Sequence, residues 1–325
     1  MNGQARNLKF FLFFALIFFI SFWAVSWLQK EKTPYGSLTA QLGEEGTAMR
    51  PNRDEKTTEA RDISSSTSSA ALSFDTDAKA AIAVAVALDE KEEEEVKILF
   101  EKDADKKLPI ASLTKLMTAA IALENYSLEE EMAITQKTAE TSSMSLDFSG
   151  EKFTVENVLR VMLIESNNDA ATSLAERMGE KKFIELMNFK AAELGMDSTL
   201  FVNPNGLDES DSSFNISSAL DLSKLVVYIE NNFPFIGQTL SNKKFTVVSS
   251  GGRSYDLVNT NVLLYDRQTA WGKTGYTKKA NGCIINIVKP QAKSGYAIIN
   301  IVLGADDRFY EAQRLTDWIN NYFIW

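Results

Sequence analysis

The chain has 325 residues, 45% hydrophobic and 24% charged, enough for one catalytic domain with a buried core plus appendages. A net charge of −10 argues against a nucleic-acid partner, because phosphate backbones bind to cationic surface. Histidine is absent. That excludes Ser-His-Asp and Cys-His catalysts and most zinc sites, so hydrolytic chemistry must find another base.

Leu8 to Leu28 is a nearly uncharged stretch of about twenty residues, long enough to cross a bilayer. Arg6 and Lys9 favour a cytoplasmic N-terminus, and Trp23 and Trp27 suit the outer interface. A cleaved signal peptide is the competing reading, since Ala24-Val25-Ser26 has the small-x-small form of a cleavage site. The length of the stretch, and Trp27 as an awkward new N-terminus, favour an uncleaved anchor over residues 1–28, with the rest of the chain in the periplasm or on the outer cell surface. Residues 29–76 show no apolar period and are rich in charge, Gly and the run Ser64-Ser65-Ser66-Thr67-Ser68-Ser69, so they read as a flexible linker. Such a coil spans roughly 35–40 Å root-mean-square. The catalytic domain is expected over residues 77–325.

Ala81 to Leu88 is a continuous apolar run suited to a strand covered on both faces. Glu92 to Glu95 reads as a solvated hairpin tip and Val96 to Phe100 as the returning strand. Pro109 precedes a helical pattern in Leu113, Leu116, Met117, Ala120 and Ile121, and helical segments continue to about Glu230. Strand patterns return at KKFTVVS, around Tyr255, at GCIINIVK and at YAIINIVLG, and an amphipathic helix closes the chain from Tyr310 to about Phe323. Strands at both ends with helices between them imply an α+β fold. One antiparallel sheet, assembled from distant parts of the chain, is flanked by helices and lies beside a helical subdomain. The lone Cys283, inside an apolar run, reads as strand core and not as a nucleophile.

Three motifs carry the chemistry in order: Ser112-Leu113-Thr114-Lys115, Ser166-Asn167-Asn168 and Lys273-Thr274-Gly275. Each alone is weak, because Ser-x-x-Lys recurs at Ser149 and Ser241 and Ser-x-Asn at Ser213. Only Ser112 opens an amphipathic helix, where a residue three positions on lies on the same face, so Ser112 and Lys115 can touch. Ser112 as a helix N-cap is the bland alternative. A serine hydroxyl needs a base to become nucleophilic, and a lysine serves only when neutral. Burial and a second ammonium both lower a lysine pKa, and Lys273 is the candidate for that second charge. Ser166 suits proton relay to the leaving nitrogen and Asn168 a substrate amide. A helix start at Ser112 adds backbone N–H groups near a developing oxyanion. Gly275 would let a ligand backbone approach a strand edge. This chemistry calls for no metal and no cofactor.

Together these motifs resemble those of the penicillin-interacting serine peptidases and β-lactamases. LPIASLTKLMTA, ESNNDAATSLAE, FVNPNGLD and WGKTGYT narrow the resemblance to low-molecular-mass D-alanyl-D-alanine carboxypeptidases, over about Ala78 to Trp325. The resemblance implies a β-lactamase/transpeptidase-like fold. It further implies an acyl-enzyme formed by Ser112 on the penultimate D-Ala of a peptidoglycan stem peptide, with β-lactam antibiotics as covalent inhibitors. Lys115 is then the general base, Ser166 and Asn168 relay a proton and contact substrate, and Lys273 and Thr274 bind the substrate carboxylate. The backbone N–H groups of Ser112 and Tyr276 form the oxyanion hole, and Arg308, in GADDRF, is either a second carboxylate partner or a surface charge. Asn167 stands where a small residue is common, which would narrow the cleft. The chain ends soon after its last helix, so the β-rich C-terminal domain and C-terminal membrane helix of many such enzymes are expected to be absent, with the N-terminal anchor in their place. Relatives of this kind trim free stem peptides or cut D-Ala cross-links, so D,D-endopeptidase action stays open. A β-lactamase is disfavoured because Glu-x-x-Leu-Asn is missing between the second and third motifs, where Glu209 is the nearest glutamate. Intact Ser112, Lys115 and Lys273 disfavour a non-catalytic wall-binding module.

Overall fold

The computed structural model describes residues 74–87, 96–135, 148, 150–266, 268–289 and 296–323. The expected membrane span, nearly all of the expected linker, the Glu92 to Glu95 tip and Ser149 lie outside them. Among the described residues no helix is long and apolar enough to cross a membrane.

The alternating alanines, isoleucine and valines of Ala80–Ala87 make strand β1, buried on both faces for most of its length. Val96–Lys102 returns as β2, and Leu108–Pro109 forms the short β3. A 3-10 turn, Ala111–Thr114, runs into helix α1, Lys115–Asn125, whose residues are buried all round as far as Ala122. A helix buried on every side belongs at the centre of a domain, and α1 lies there with the polar Lys115 and Thr118 buried among its apolar residues. The small strands β4 (Glu131–Ala133) and β5 (Lys152–Thr154) pair with each other. Thr154 then caps α2 (Val155–Ile164), its side chain accepting from Asn157 N. Helices α3 (Asn168–Glu176) and α4 (Glu180–Glu193) follow, then β6 (Ile216–Ser217), which pairs with β3. Ser218 caps α5 (Ala219–Asn232), and Pro234 opens α6 (Pro234–Leu240). The remaining elements are β7 (Lys244–Val248), β8 (Ser254–Val258), β9 (Thr269–Thr277), β10 (Asn281–Val288), β11 (Tyr296–Ala305) and α7 (Arg308–Tyr322), the last capped by Asp307.

The main sheet has five antiparallel strands in the order β2-β1-β11-β10-β9. Its centre joins the two ends of the domain, with Ala80 opposite Leu303 and Ala87 opposite Tyr296. Helix α7 seals one face through Ala312, Leu315 and Ile319 against Ala81, Ala83, Ile284 and Ile298. Helix α5 packs on β1 and β11. The structure is therefore the expected α+β arrangement, with one refinement. β7 and β8 form a hairpin of their own and do not join the main sheet, because each buries only part of its side chains, whereas β10 and β11 are buried almost throughout. At the start of the described chain, Phe74 stacks edge-on against Phe100 and lies beside Trp318, so packing begins ahead of β1.

Candidate active site

Ala111 enters the 3-10 turn with φ +48°, and Ser166 precedes α3 with φ +58°. Left-handed backbone is costly for residues with a Cβ and concentrates where geometry serves function. Of the four described non-glycine residues with positive φ, these two flank one site. No side chain caps the 3-10 turn or the start of α1, so the Ser112 hydroxyl is not a helix cap. It lies 2.9 Å from Lys115 Nζ.

Lys115 is fully buried. Besides Ser112, its Nζ donates to Asn168 Oδ1 at 2.7 Å and to the Asn205 carbonyl at 2.5 Å. No carboxylate is among these partners. Burial, and then the charge of Lys273, hold its pKa well below the usual lysine range. A neutral amine has two N–H donors and one lone pair. The two carbonyl oxygens can only accept, which leaves the lone pair for the Ser112 hydroxyl. This is the geometry of a base facing a nucleophile.

Lys273, also buried, donates from Nζ to Ser166 Oγ at 2.8 Å and to Thr274 O at 3.0 Å. Burial, and then the Arg308 guanidinium, bring its pKa down to about 7. It sits on β9, an edge strand of the main sheet. Gly275 brings that strand against the nucleophile, since a Cβ there would stand 3.0 Å from Ile110 O and 3.1 Å from Ser112 N. Tyr276 follows with an exposed ring. Arg308 opens α7 over Gly282, where a Cβ would meet Arg308 Cβ at 3.1 Å. Its Nε is buried without a hydrogen-bond partner among the described residues.

Ser112, Lys115 and Asn168 thus form one hydrogen-bonded group and Lys273 and Ser166 another, the two close enough for the Lys273 charge to act on Lys115, with Thr274, Gly275 and Tyr276 on the adjoining strand. Of the other occurrences of the motifs, the two among the described residues do other work. The Ser241 hydroxyl donates to Gln238 O at the end of α6. Ser213 donates to Glu209, which is exposed. Cys283 is buried in β10, and burial pushes its thiol up to about 11. Asn167 has a role the sequence did not show: its Oδ1 accepts from Ala170 N at 2.8 Å, so it caps α3.

Sequence reasoning assigned no role to the Asn203–Gly206 segment. Asn215 holds it, accepting from Val202 N and Asn203 N and donating to Thr114 Oγ1. Gly206, at φ +85°, lies against the Ala111 carbonyl. The segment delivers the Asn205 carbonyl to Lys115, and its sign in the sequence was FVNPNGLD as one of the stretches that carry the family resemblance.

A family model described as D-alanyl-D-alanine carboxypeptidase matches residues 65–307. The D-alanyl-D-alanine endopeptidase of Escherichia coli (strain K12) is 34% identical over 236 residues, covering 69% of this chain and 73% of that protein. The D-alanyl-D-alanine carboxypeptidase DacF of Bacillus subtilis (strain 168) is 31% identical, covering 64% of this chain and 54% of its own. Penicillin-binding protein D2 from Listeria monocytogenes, solved in a cefotaxime-bound form, superposes with a TM-score of 0.63 at 30% identity, covering 76% of this chain and 98% of that one. Motifs, fold and relatives agree, and the chain belongs to the D-alanyl-D-alanine carboxypeptidase family of serine peptidases.

Proposed function

We propose that this serine-type D-Ala-D-Ala carboxypeptidase removes the terminal D-Ala of peptidoglycan stem peptides through an acyl-enzyme on Ser112, with Lys115 as general base. The observation that carries the reading is a fully buried lysine amine, without a carboxylate partner among the described residues, 2.9 Å from a serine hydroxyl. Neutral Lys115 takes the Ser112 proton as Oγ attacks the carbonyl of the penultimate D-Ala. The substrate lies along the free edge of β9 as an added strand. Backbone N–H groups of Ser112 and Tyr276 hold the developing oxyanion. Ser166, hydrogen-bonded to Lys273, passes a proton to the leaving nitrogen, and Asn168 contacts the substrate amide. Lys273, Thr274 and Arg308, whose buried Nε has no hydrogen-bond partner among the described residues, suit the leaving carboxylate. Water then releases the acyl group. A β-lactam enters by the same attack and remains as a covalent adduct.

A second reading, D,D-endopeptidase action on cross-links, is favoured by the relative named endopeptidase at 34% identity. Anchoring by residues 1–28, with the catalytic domain outside the membrane, is part of the proposal and rests on the apolar stretch Leu8 to Leu28 and the charges of Arg6 and Lys9. The test is incubation of the detergent-solubilised chain with pentapeptide and with cross-linked muropeptides, followed by mass spectrometry. Loss of one alanine from the pentapeptide supports the first reading, and conversion of dimers to monomers the second. Release of neither overturns both.

A further inference from the structure

Between β8 and β9, Asn259, Thr260 and Asn261 pass alongside the third motif. The two asparagines are buried and hold the segment. Asn259 Nδ2 donates to Leu240 O and Asn242 O, both at 3.0 Å, and its Oδ1 accepts from Asn261 N at 2.9 Å. Asn261 lies against β9, where a Cβ on Gly272 would stand 2.6 Å from its Nδ2. Thr260 differs from both. It is only half-buried, its backbone N–H donates to Ile164 O at 3.2 Å, and its hydroxyl lies 2.7 Å from the Thr274 hydroxyl. No contact to a backbone group occupies that hydroxyl among the described residues, so folding of the segment does not account for it.

A proton count gives the pair a role. Two hydroxyls carry two protons, and one hydrogen bond between them uses one. Whichever threonine donates, one O–H proton of the pair remains to donate elsewhere, next to a backbone carbonyl that accepts from Lys273 Nζ. An anion arriving at Thr274 accepts a hydrogen bond from the Thr274 hydroxyl, and Thr260 then donates into the Thr274 oxygen and strengthens that bond. We infer that Thr260 is a positioning residue for the carboxylate at the substrate's C-terminal end, an inference that rests on the peptidase function proposed above. It would select substrates whose leaving residue keeps a free carboxylate next to the cleaved amide.

The test compares a peptide ending in D-Ala-D-Ala with its C-terminal amide, using the full chain and its Thr260→Val variant. Loss of a hydrogen bond in a charged site should raise KM for the acid peptide about tenfold while kcat changes much less. The preference for acid over amide should shrink by a similar factor. Thr260→Ser, which restores the hydroxyl, should recover most of the loss. Thr260→Ala allows the same comparison if the valine variant does not fold. Equal losses on acid and amide would mark Thr260 as merely structural, and an unchanged KM for the acid peptide would remove its role; either overturns the inference alone. A wild-type chain that releases no D-Ala and is not acylated by penicillin would overturn the peptidase function itself, and this inference with it.

Discussion

Replacing Gly206 by alanine tests how the nucleophile is held. A Cβ at this position would stand 2.0 Å from Ala111 O, 2.5 Å from Ala111 C and 3.0 Å from Ser112 N. Carbon contacts settle near 3.5 Å, so the two backbones must part by roughly 1 Å or more. Overpacking of this kind costs about 1–3 kcal/mol. The left-handed φ of +85° adds about 1–2 kcal/mol for a residue with a Cβ. At about 2–4 °C per kcal/mol for a domain of this size, the variant should melt roughly 4–20 °C lower. The chemical loss is separate, because a nucleophile misplaced by about 1 Å loses on the order of 100-fold in rate. Gly179→Ala is the control. Gly179 has φ +94° but nothing within 4 Å of a built Cβ, so the control carries the strain without the clash. Acylation by a fluorescent penicillin, measured well below the melting point of each variant, should be slow in Gly206→Ala and normal in Gly179→Ala. Equal acylation rates in the two variants would refute the claim that this contact positions Ser112.

Lys273→Met should alter how stability depends on pH. Lys273 titrates near 7 in the folded chain and near its ordinary 10.5 when unfolded. Between those values the unfolded state binds more protons, so this lysine makes stability rise with pH over that window. The melting curve of the methionine variant should rise less between pH 7 and 9 than that of the wild type, and an identical slope would contradict the buried, depressed lysine. Asn167→Ala removes the cap of α3 and should cost about 1 kcal/mol, read as a small drop in melting temperature. Penicillin acylation should persist in that variant, because Asn167 turns its side chain to the helix; a large loss would place it in the substrate path.

Periodicity and composition made the frame readable. The runs around Ala81, Ile284 and Ile298 are almost wholly apolar, broken by the buried Asn286 and Asn300, as strands buried on both faces should be, and they form the centre of the sheet. The closing amphipathic helix was visible for the same reason. β7 and β8 carried strand signals too, but alternation alone does not say which sheet a strand joins. The three motifs were legible because their residue types and order are chemically constrained. Their assembly was not, because it depends on contacts between distant parts of the chain. Lys115 meets Asn168, 53 residues on, and the Asn205 carbonyl, 90 residues on. A backbone carbonyl leaves no mark on residue identity. Thr260 was silent for a related reason, since a lone threonine in a polar loop announces nothing until the fold brings it to Thr274.

The most direct test of the central claim is to treat the wild-type chain, Ser112→Ala and Lys115→Arg with penicillin and to map the adduct by mass spectrometry. The wild type should carry one penicilloyl group on Ser112, and Ser112→Ala none. Lys115→Arg should also fail to acylate, because arginine keeps a positive charge but stays protonated and cannot take the serine proton. Near-normal acylation of Lys115→Arg, or an adduct on Ser149 or Ser241, would contradict the assignment of Ser112 and Lys115 as nucleophile and base.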